Sequence, residues 1–254
     1  MVEEVRMMLK RRGFSILKEN PTEYLIFPPD MDPEDVSQFY ELMKKYSFRL
    51  FLRDVIKSRH TFGVEELVKY STREWVERYI ELLLGLGLVE RLDDGYRLKR
   101  EEVFSFGDTL EWFVSMVFEW EFGADTLWGV RLGGVECGGD FDVIAGFEGR
   151  LIYVEVKSSP PGNIEEENVV EFIKRVETLK PDAAIFLNDT RLRMKDKIVP
   201  FFESYFEKRG LKAERLRGEL FGIKDRLFIT NSAPDIVSNI GFCLERYLKS
   251  GFWL

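Results

Sequence analysis

Residues 138–159 read GGDFDVIAGFEGRLIYVEVKSS. Two apolar runs flank Glu148-Gly149, a dipeptide suited to a tight turn between paired strands. Side chains alternate faces along a strand, so Leu151, Tyr153, Glu155 and Lys157 share one face and Ile152, Val154 and Val156 the other. On the preceding strand Asp140, Asp142 and Ile144 lie together. A two-residue turn pairs Phe147 with Arg150, which sets Asp142 opposite Glu155 and Asp140 opposite Lys157. A four-residue loop shifts that register by two and keeps the four charged residues on one face; a three-residue loop breaks the alignment. Like charges opposed across neighbouring strands are destabilising. A divalent cation between them removes the penalty, and a cation beside a lysine is equipment for cleaving phosphodiester bonds.

The rest of the chain sets bounds on that chemistry. It has 254 residues and is 45% hydrophobic, enough for one large domain or two small ones with real cores. No apolar run is long enough to span a bilayer. The opening MVEEVRMMLKRRGF is charged and lacks a signal-peptide core, which predicts a cytoplasmic protein. The two cysteines, Cys137 and Cys243, are far apart and have no CxxC partner, which argues against a disulfide framework or a zinc site. The single histidine, His60, lies in a turn and excludes most histidine-dependent catalysis. A charged fraction of 32% and a single glutamine, Gln38, resemble thermophile usage. The net charge of −8 arises after residue 100, where 27 acids face 19 bases. That balance counts against bare nucleic acid as a partner, although local patches and bound ions outweigh totals.

The pattern divides the chain into residues 1–31, 32–102 and 103–254. The first segment reads as a helix and two short strands, near 14–17 and 24–27. In the second, Asp32-Pro33 opens a helix as N-cap and first-turn proline. Further helices are expected over 49–57 and 64–70. Ser71-Thr72-Arg73-Glu74 has the form of a capping box for a fourth, whose buried face would be Trp75, Val76, Tyr79, Ile80 and Leu83. A hairpin follows about Asp93-Asp94-Gly95. The third segment alternates: an apolar helix over 109–122 carrying Trp112, Phe113, Phe118 and Trp120 into the core, the hairpin, a helix capped by Asn163 over 164–179, and a buried strand over 183–187. A helix over 198–209, strands over 212–217 and 226–230 and a closing helix over 235–249 complete it. This is a mixed α/β layer fold.

Helix, short helix, helix and hairpin, with LLLGLGLVERLDDGYRLK at residues 82–99, resemble a winged helix-turn-helix domain. Members bind DNA through the third helix, where Arg73 and Arg78 stand beside Glu74, Glu77 and Glu81. A packing or dimerisation module is the plainer reading, and a homodimer is one expected outcome.

Asp142, followed by Glu155-Val156-Lys157 and Ser158-Ser159, resembles the PD-(D/E)xK nucleases, the restriction-endonuclease-like superfamily. The resemblance covers about residues 104–230, with Phe141 in place of the proline. It implies a restriction-endonuclease-like mixed sheet flanked by helices, and a nuclease acting on nucleic acid, most naturally DNA. Asp142, Glu155 and the Val156 carbonyl would hold Mg²⁺ or Mn²⁺ through oxygen ligands. Lys157 would orient the attacking water or stabilise developing charge. Glu111, within GDTLEWFV, matches the glutamate on the preceding helix and would hold a water of the ion or a second ion, although Asp108-x-x-Glu111 also has the form of a helix cap. Arg191, Arg193 and Lys195 are candidate phosphate contacts or plain solvated surface. The alternative to an enzyme is a non-catalytic DNA-binding, regulatory or dimerisation protein that uses the same fold as a scaffold.

Overall fold

The computed structural model describes residues 3–135 and 138–250. In chain order its helices are α1 (Glu4–Arg11), α2 (Pro33–Met43), α3 (Tyr46–Lys57), α4 (Val64–Leu67), α5 (Arg73–Gly85), α6 (Gly107–Phe122), α7 (Glu166–Leu179), α8 (Ile198–Phe206) and α9 (Ile236–Ser250). The strands are β1 (Ser15–Lys18), β2 (Val89–Leu92), β3 (Gly95–Leu98), β4 (Asp125–Gly133), β5 (Phe141–Phe147), β6 (Arg150–Lys157), β7 (Ala183–Asn188), β8 (Glu214–Arg217), β9 (Leu220–Ile223) and β10 (Leu227–Asn231). They form two compact units, one of Met1–Asn20 with Val114–Leu254 and one of Pro21–Phe113. Helix α6 runs across the division. No helix among the described residues is long and apolar enough to cross a membrane.

The larger unit is a mixed eight-stranded sheet in the order β1-β4-β5-β6-β7-β10-β9-β8. Strands β6, β7 and β10 run parallel; the other neighbours are antiparallel. Parallel strands need a crossover, and α7 supplies it between β6 and β7. Helices cover both faces. On one, Phe172 of α7 meets Tyr153 and Phe186, with Phe202 of α8 against both Phe172 and Phe186. On the other, Ser115 of α6 meets Thr126 of β4 at 2.7 Å, and α9 packs against β10. These central strands are buried on both sides, which is why β7 is apolar without alternation. The architecture is the mixed α/β fold that the order of elements after Glu101 predicts, a large sheet flanked by helices.

The smaller unit gathers α2–α5, the β2–β3 hairpin and the flanking segments around aromatic rings. Phe27 packs edge-on to Trp112 at 4.8 Å, and Phe48 edge-on to Tyr79 at 5.1 Å. Asp32 caps α2 by accepting the Glu34 N–H at 2.8 Å, with Pro33 in the first turn as expected. Gly95 turns the hairpin at φ +146°, and a Cβ there would lie 2.6 Å from the Phe62 carbonyl oxygen, so the position admits only glycine.

Several local expectations are corrected. Residues 24–27 form no strand; Leu25, Ile26 and Phe27 are buried, and Arg100 donates to the carbonyls of Thr22, Glu23 and Phe27 at 3.3, 2.7 and 2.8 Å in place of a ladder. Replacing Arg100 with methionine keeps the stem and removes the three bonds. A loss of about 1–2 kcal/mol is expected by chemical denaturation, because the part-buried carbonyls of Thr22 and Phe27 lose their donor. Thr72 is the N-cap of α5 but its side chain makes no capping bond, and Trp75 is 42% exposed rather than part of the buried face. Trp120 is likewise 46% exposed, while Trp112, Phe113 and Phe118 are core. Helix α4 is a single turn. Helix α6 starts before Asp108, its Gly107 N–H donating to Ser105 Oγ, so Asp108 is not the cap. Glu165 and Asn168 form the capping box of α7, displacing Asn163 from that role. Strand β9 has no counterpart in the sequence reading. Cys243 is a buried free thiol; Cys137 lies outside the described residues.

Candidate functional site

The hairpin closes as the two-residue turn requires. Phe147 pairs with Arg150, and Glu148 and Gly149 both take positive φ, 49° and 70°, the backbone of a type I′ turn. The ladder runs to Val143 opposite Val154, and the same offset sets Asp142 across from Glu155. Here the ladder gives way to side chains: Val156 N–H donates to Asp142 Oδ2 at 2.7 Å. On the other side of β6, the Lys157 carbonyl accepts from Asp189 N–H at 2.7 Å. Successive residues point their backbone groups to opposite sides of a strand, so the Val156 carbonyl shares the Asp142 side. Two carboxylates and one carbonyl thus stand at one strand end, an oxygen donor set that suits a hard divalent cation.

Glu155 is 1% exposed and heavily partnered. Its Oε1 accepts from Lys157 Nζ at 2.6 Å and Arg175 Nη1 at 3.0 Å; its Oε2 accepts from Arg175 Nη1 at 3.0 Å and from the Tyr153 hydroxyl. Burial, then the charge of Glu155, pushes the Asp142 carboxyl up to about 8; Lys157, Arg175 and the Val156 N–H oppose the rise. Burial works against the Lys157 and Arg175 cations, but the charges of Glu155 and Asp142 outweigh it and hold both more firmly protonated than usual. The Tyr153 hydroxyl is raised well above its usual range by burial and by the same two acids. The cluster is a buried network of two acids, two cations and a phenol, with the two acids working against each other.

Asp142, Glu155, Val156 and Lys157 therefore come together in the larger unit. Glu111 lies half-buried on the first half of α6, which groups with Pro21–Phe113. Asp140 lies one residue before β5, and its carboxylate pairs with Arg131 at 2.7 and 3.2 Å. Arg191, Arg193 and Lys195 are exposed on the loop that leaves β7 just after Asn188, the residue paired with Lys157. Arg191 donates to the Pro234 carbonyl, and Arg193 meets Asp196 at 3.4 Å. On α5, Arg73 is engaged by Glu65 and Glu77, and Arg78 lies over the Trp75 ring at 5.2 Å. Among the described residues no group of three or more His, Cys, Asp or Glu forms a metal cluster. The donor set described above relies on a carbonyl and two acids instead.

Two residues of this site escaped the sequence reading. Arg175 sits on α7 three positions after Phe172, a charge beside the helix's apolar stripe and the one available signal. Asn188 is fully buried beside Lys157, on the same sheet face, and its Oδ1 has no hydrogen-bond partner among the described residues. Asn188 ends the strand that the sequence reading stopped at Leu187.

No protein-family model matches the chain, and no curated protein matches it in sequence. Solved structures share its fold, two of them as follows. One is protein VC1899 from Vibrio cholerae, 13% identical with a TM-score of 0.58; the match covers 97% of this chain and 61% of that one. The other is Can2 from Sulfobacillus thermosulfidooxidans, solved in complex with cyclic tetra-adenylate, 13% identical with a TM-score of 0.52, covering 96% of this chain and 61% of Can2. At this identity the likeness is one of fold, and the chain spans about three fifths of the length of either protein.

Proposed function

We propose that this chain is a divalent-metal-dependent nuclease of the PD-(D/E)xK type that hydrolyses phosphodiester bonds, with DNA as its substrate. The observation that carries the reading is the placement of Asp142 across from Glu155, with Lys157 two residues on and the Val156 carbonyl turned to the same side. In this reading Asp142, Glu155 and the Val156 carbonyl hold Mg²⁺ or Mn²⁺. The ion, when bound, supplies Lewis-acid polarisation of the phosphate and lowers the pKa of a coordinated water. Lys157 keeps its positive charge at neutral pH and stabilises negative charge developing on the phosphate oxygens. Tyr153 fixes the Glu155 carboxylate from below. Glu111 is assigned the further acid, and Arg191, Arg193 and Lys195 the phosphate contacts on the adjoining loop. Residues 32–102 are read as a winged helix that docks DNA or a partner. The likeness to Can2 supports the mixed α/β fold on which this reading is built. A second reading, a non-catalytic regulatory or dimerisation protein that uses the fold as a scaffold, is favoured by the way Arg73 is occupied by two glutamates and by the excess of acids after residue 100.

The test is incubation of the purified chain with plasmid, single-stranded, branched and RNA substrates in Mg²⁺ or Mn²⁺, beside Asp142→Ala and Lys157→Ala. Cleavage by the wild type is expected to fall at least about 100-fold in either variant. Cleavage that survives in both belongs to a contaminant. Absence of cleavage on every substrate leaves the scaffold reading standing.

A further inference from the structure

We propose that Arg175 sets how much divalent metal the site requires, because its guanidinium holds a position on Glu155 that a cation would take. The inference rests on the metal-dependent reading above and concerns a residue outside the Asp-Glu-Lys set. Arg175 Nη1 lies 3.0 Å from both Glu155 oxygens, astride the carboxylate. An ionised carboxylate offers about four acceptor positions. Here Lys157 uses one, Tyr153 one, and Arg175 the remaining two. A metal ion can reach Glu155 only if one donor yields.

Arg175 is the donor that comes from outside β6: Tyr153 and Lys157 flank Glu155 on its own strand, whereas Arg175 reaches it from α7. Its Nε is buried with no hydrogen-bond partner among the described residues, and Nη2 reaches the Gly138 carbonyl only at 3.3 Å. Arginine normally satisfies its fork in two directions, so this one is anchored chiefly through the carboxylate. The turn before β5 is shaped around it: Gly139 takes φ +85°, and a Cβ there would lie 2.5 Å from Nη2. The same turn leads within three residues to Asp142. A guanidinium and a divalent ion on one carboxylate repel each other, so occupancy by one weakens the other, and the coupling is reciprocal. The side chain is 11% exposed, so this competition is little screened by solvent.

The test uses the full chain stripped with EDTA, titrated with Mn²⁺ by calorimetry, and melted with and without the ion. Arg175→Gln is expected to bind Mn²⁺ about tenfold more tightly than the wild type. Its metal-free Tm should be lower, and its metal-induced rise in Tm larger. Arg175→Lys, with a point charge in place of the fork, should fall between. A folded Arg175→Gln protein that binds Mn²⁺ no more tightly than the wild type would overturn the proposal and leave Arg175 a structural clamp. If Arg175→Gln does not fold, the same comparison is read from Arg175→Lys, where tightening supports the proposal and equality sinks it. Wild type that binds Mn²⁺ and cleaves, beside variants that bind no tighter, removes this inference alone. Failure of all three proteins to bind Mn²⁺ removes the metal-dependent reading and this inference with it.

Discussion

Glu155→Ala is expected to cost about 3–5 kcal/mol of stability and to abolish cleavage. The stability loss comes from what the substitution leaves behind. Lys157 and Arg175 have side chains 27% and 11% exposed, and both point at the Glu155 carboxylate. Without it two cations share a pocket with a single acid, Asp142, whose ionisation burial opposes. The Tyr153 hydroxyl, on a fully buried ring, loses its acceptor as well. A buried network responds to loss of one member by exposing the desolvation cost of the others. Urea denaturation of Glu155→Ala beside Glu155→Gln measures this. Glutamine retains the shape and one acceptor and should recover part of the loss. Wild-type stability in Glu155→Ala would mean that the two cations relax to solvent, and that the cluster is not the buried network described.

Asp142→Asn is expected to move stability and activity in opposite directions. The fold holds the Asp142 carboxyl protonated up to about pH 8, against an ordinary value of 3.8. Between those values the folded protein binds a proton that the unfolded chain has released. Stability therefore falls as pH rises through that window. The contribution is fully present below pH 4 and lost by about pH 8. Asparagine carries no such charge and still offers an oxygen to the Val156 N–H. In EDTA at pH 8 the variant should be more stable than the wild type by about 1–3 kcal/mol, several degrees in Tm, a value reduced by the partial exposure of Asp142. At pH 4 the two should melt together. Cleavage in Mg²⁺ should fall at least about 100-fold. A variant less stable than wild type at pH 8 would show that Asp142 is not held against its charge, and the case for a cation beside it would weaken. Strain of this kind at a functional site, relieved by a substitution that kills activity, is a common stability–activity trade-off.

The central hairpin was legible because its information is local. Glu148-Gly149 selects a two-residue turn, the turn sets the register, and a period of two assigns each side chain to a face. Asp142, Glu155 and Lys157 follow from those steps alone. The helical segment was legible for a related reason: Asp32-Pro33 and the periodic apolar residues of α2, α3 and α5 are short-range signals. Failures came where a local signal met a tertiary competitor. Ser71–Glu74 has the composition of a capping box, yet the Thr72 side chain makes no capping bond. Leu25–Phe27 is apolar enough for a strand, but Arg100, more than 70 residues on, binds the carbonyls of Thr22, Glu23 and Phe27 around it.

By itself the sequence determined the mixed α/β class, the hairpin and the face on which its acids and lysine stand, since turn chemistry and side-chain alternation act within a few residues. Only the tertiary structure decided who answers those charges. The crossover through α7 swings Arg175 onto Glu155 from 20 residues away, and beside Lys157 the Asn188 amide oxygen has no partner among the described residues. Burial of the strand end, with Glu155 beside it, then pushes the Asp142 carboxyl up. Those effects depend on distance and desolvation across the sheet, which the spacing of residues along the chain does not encode.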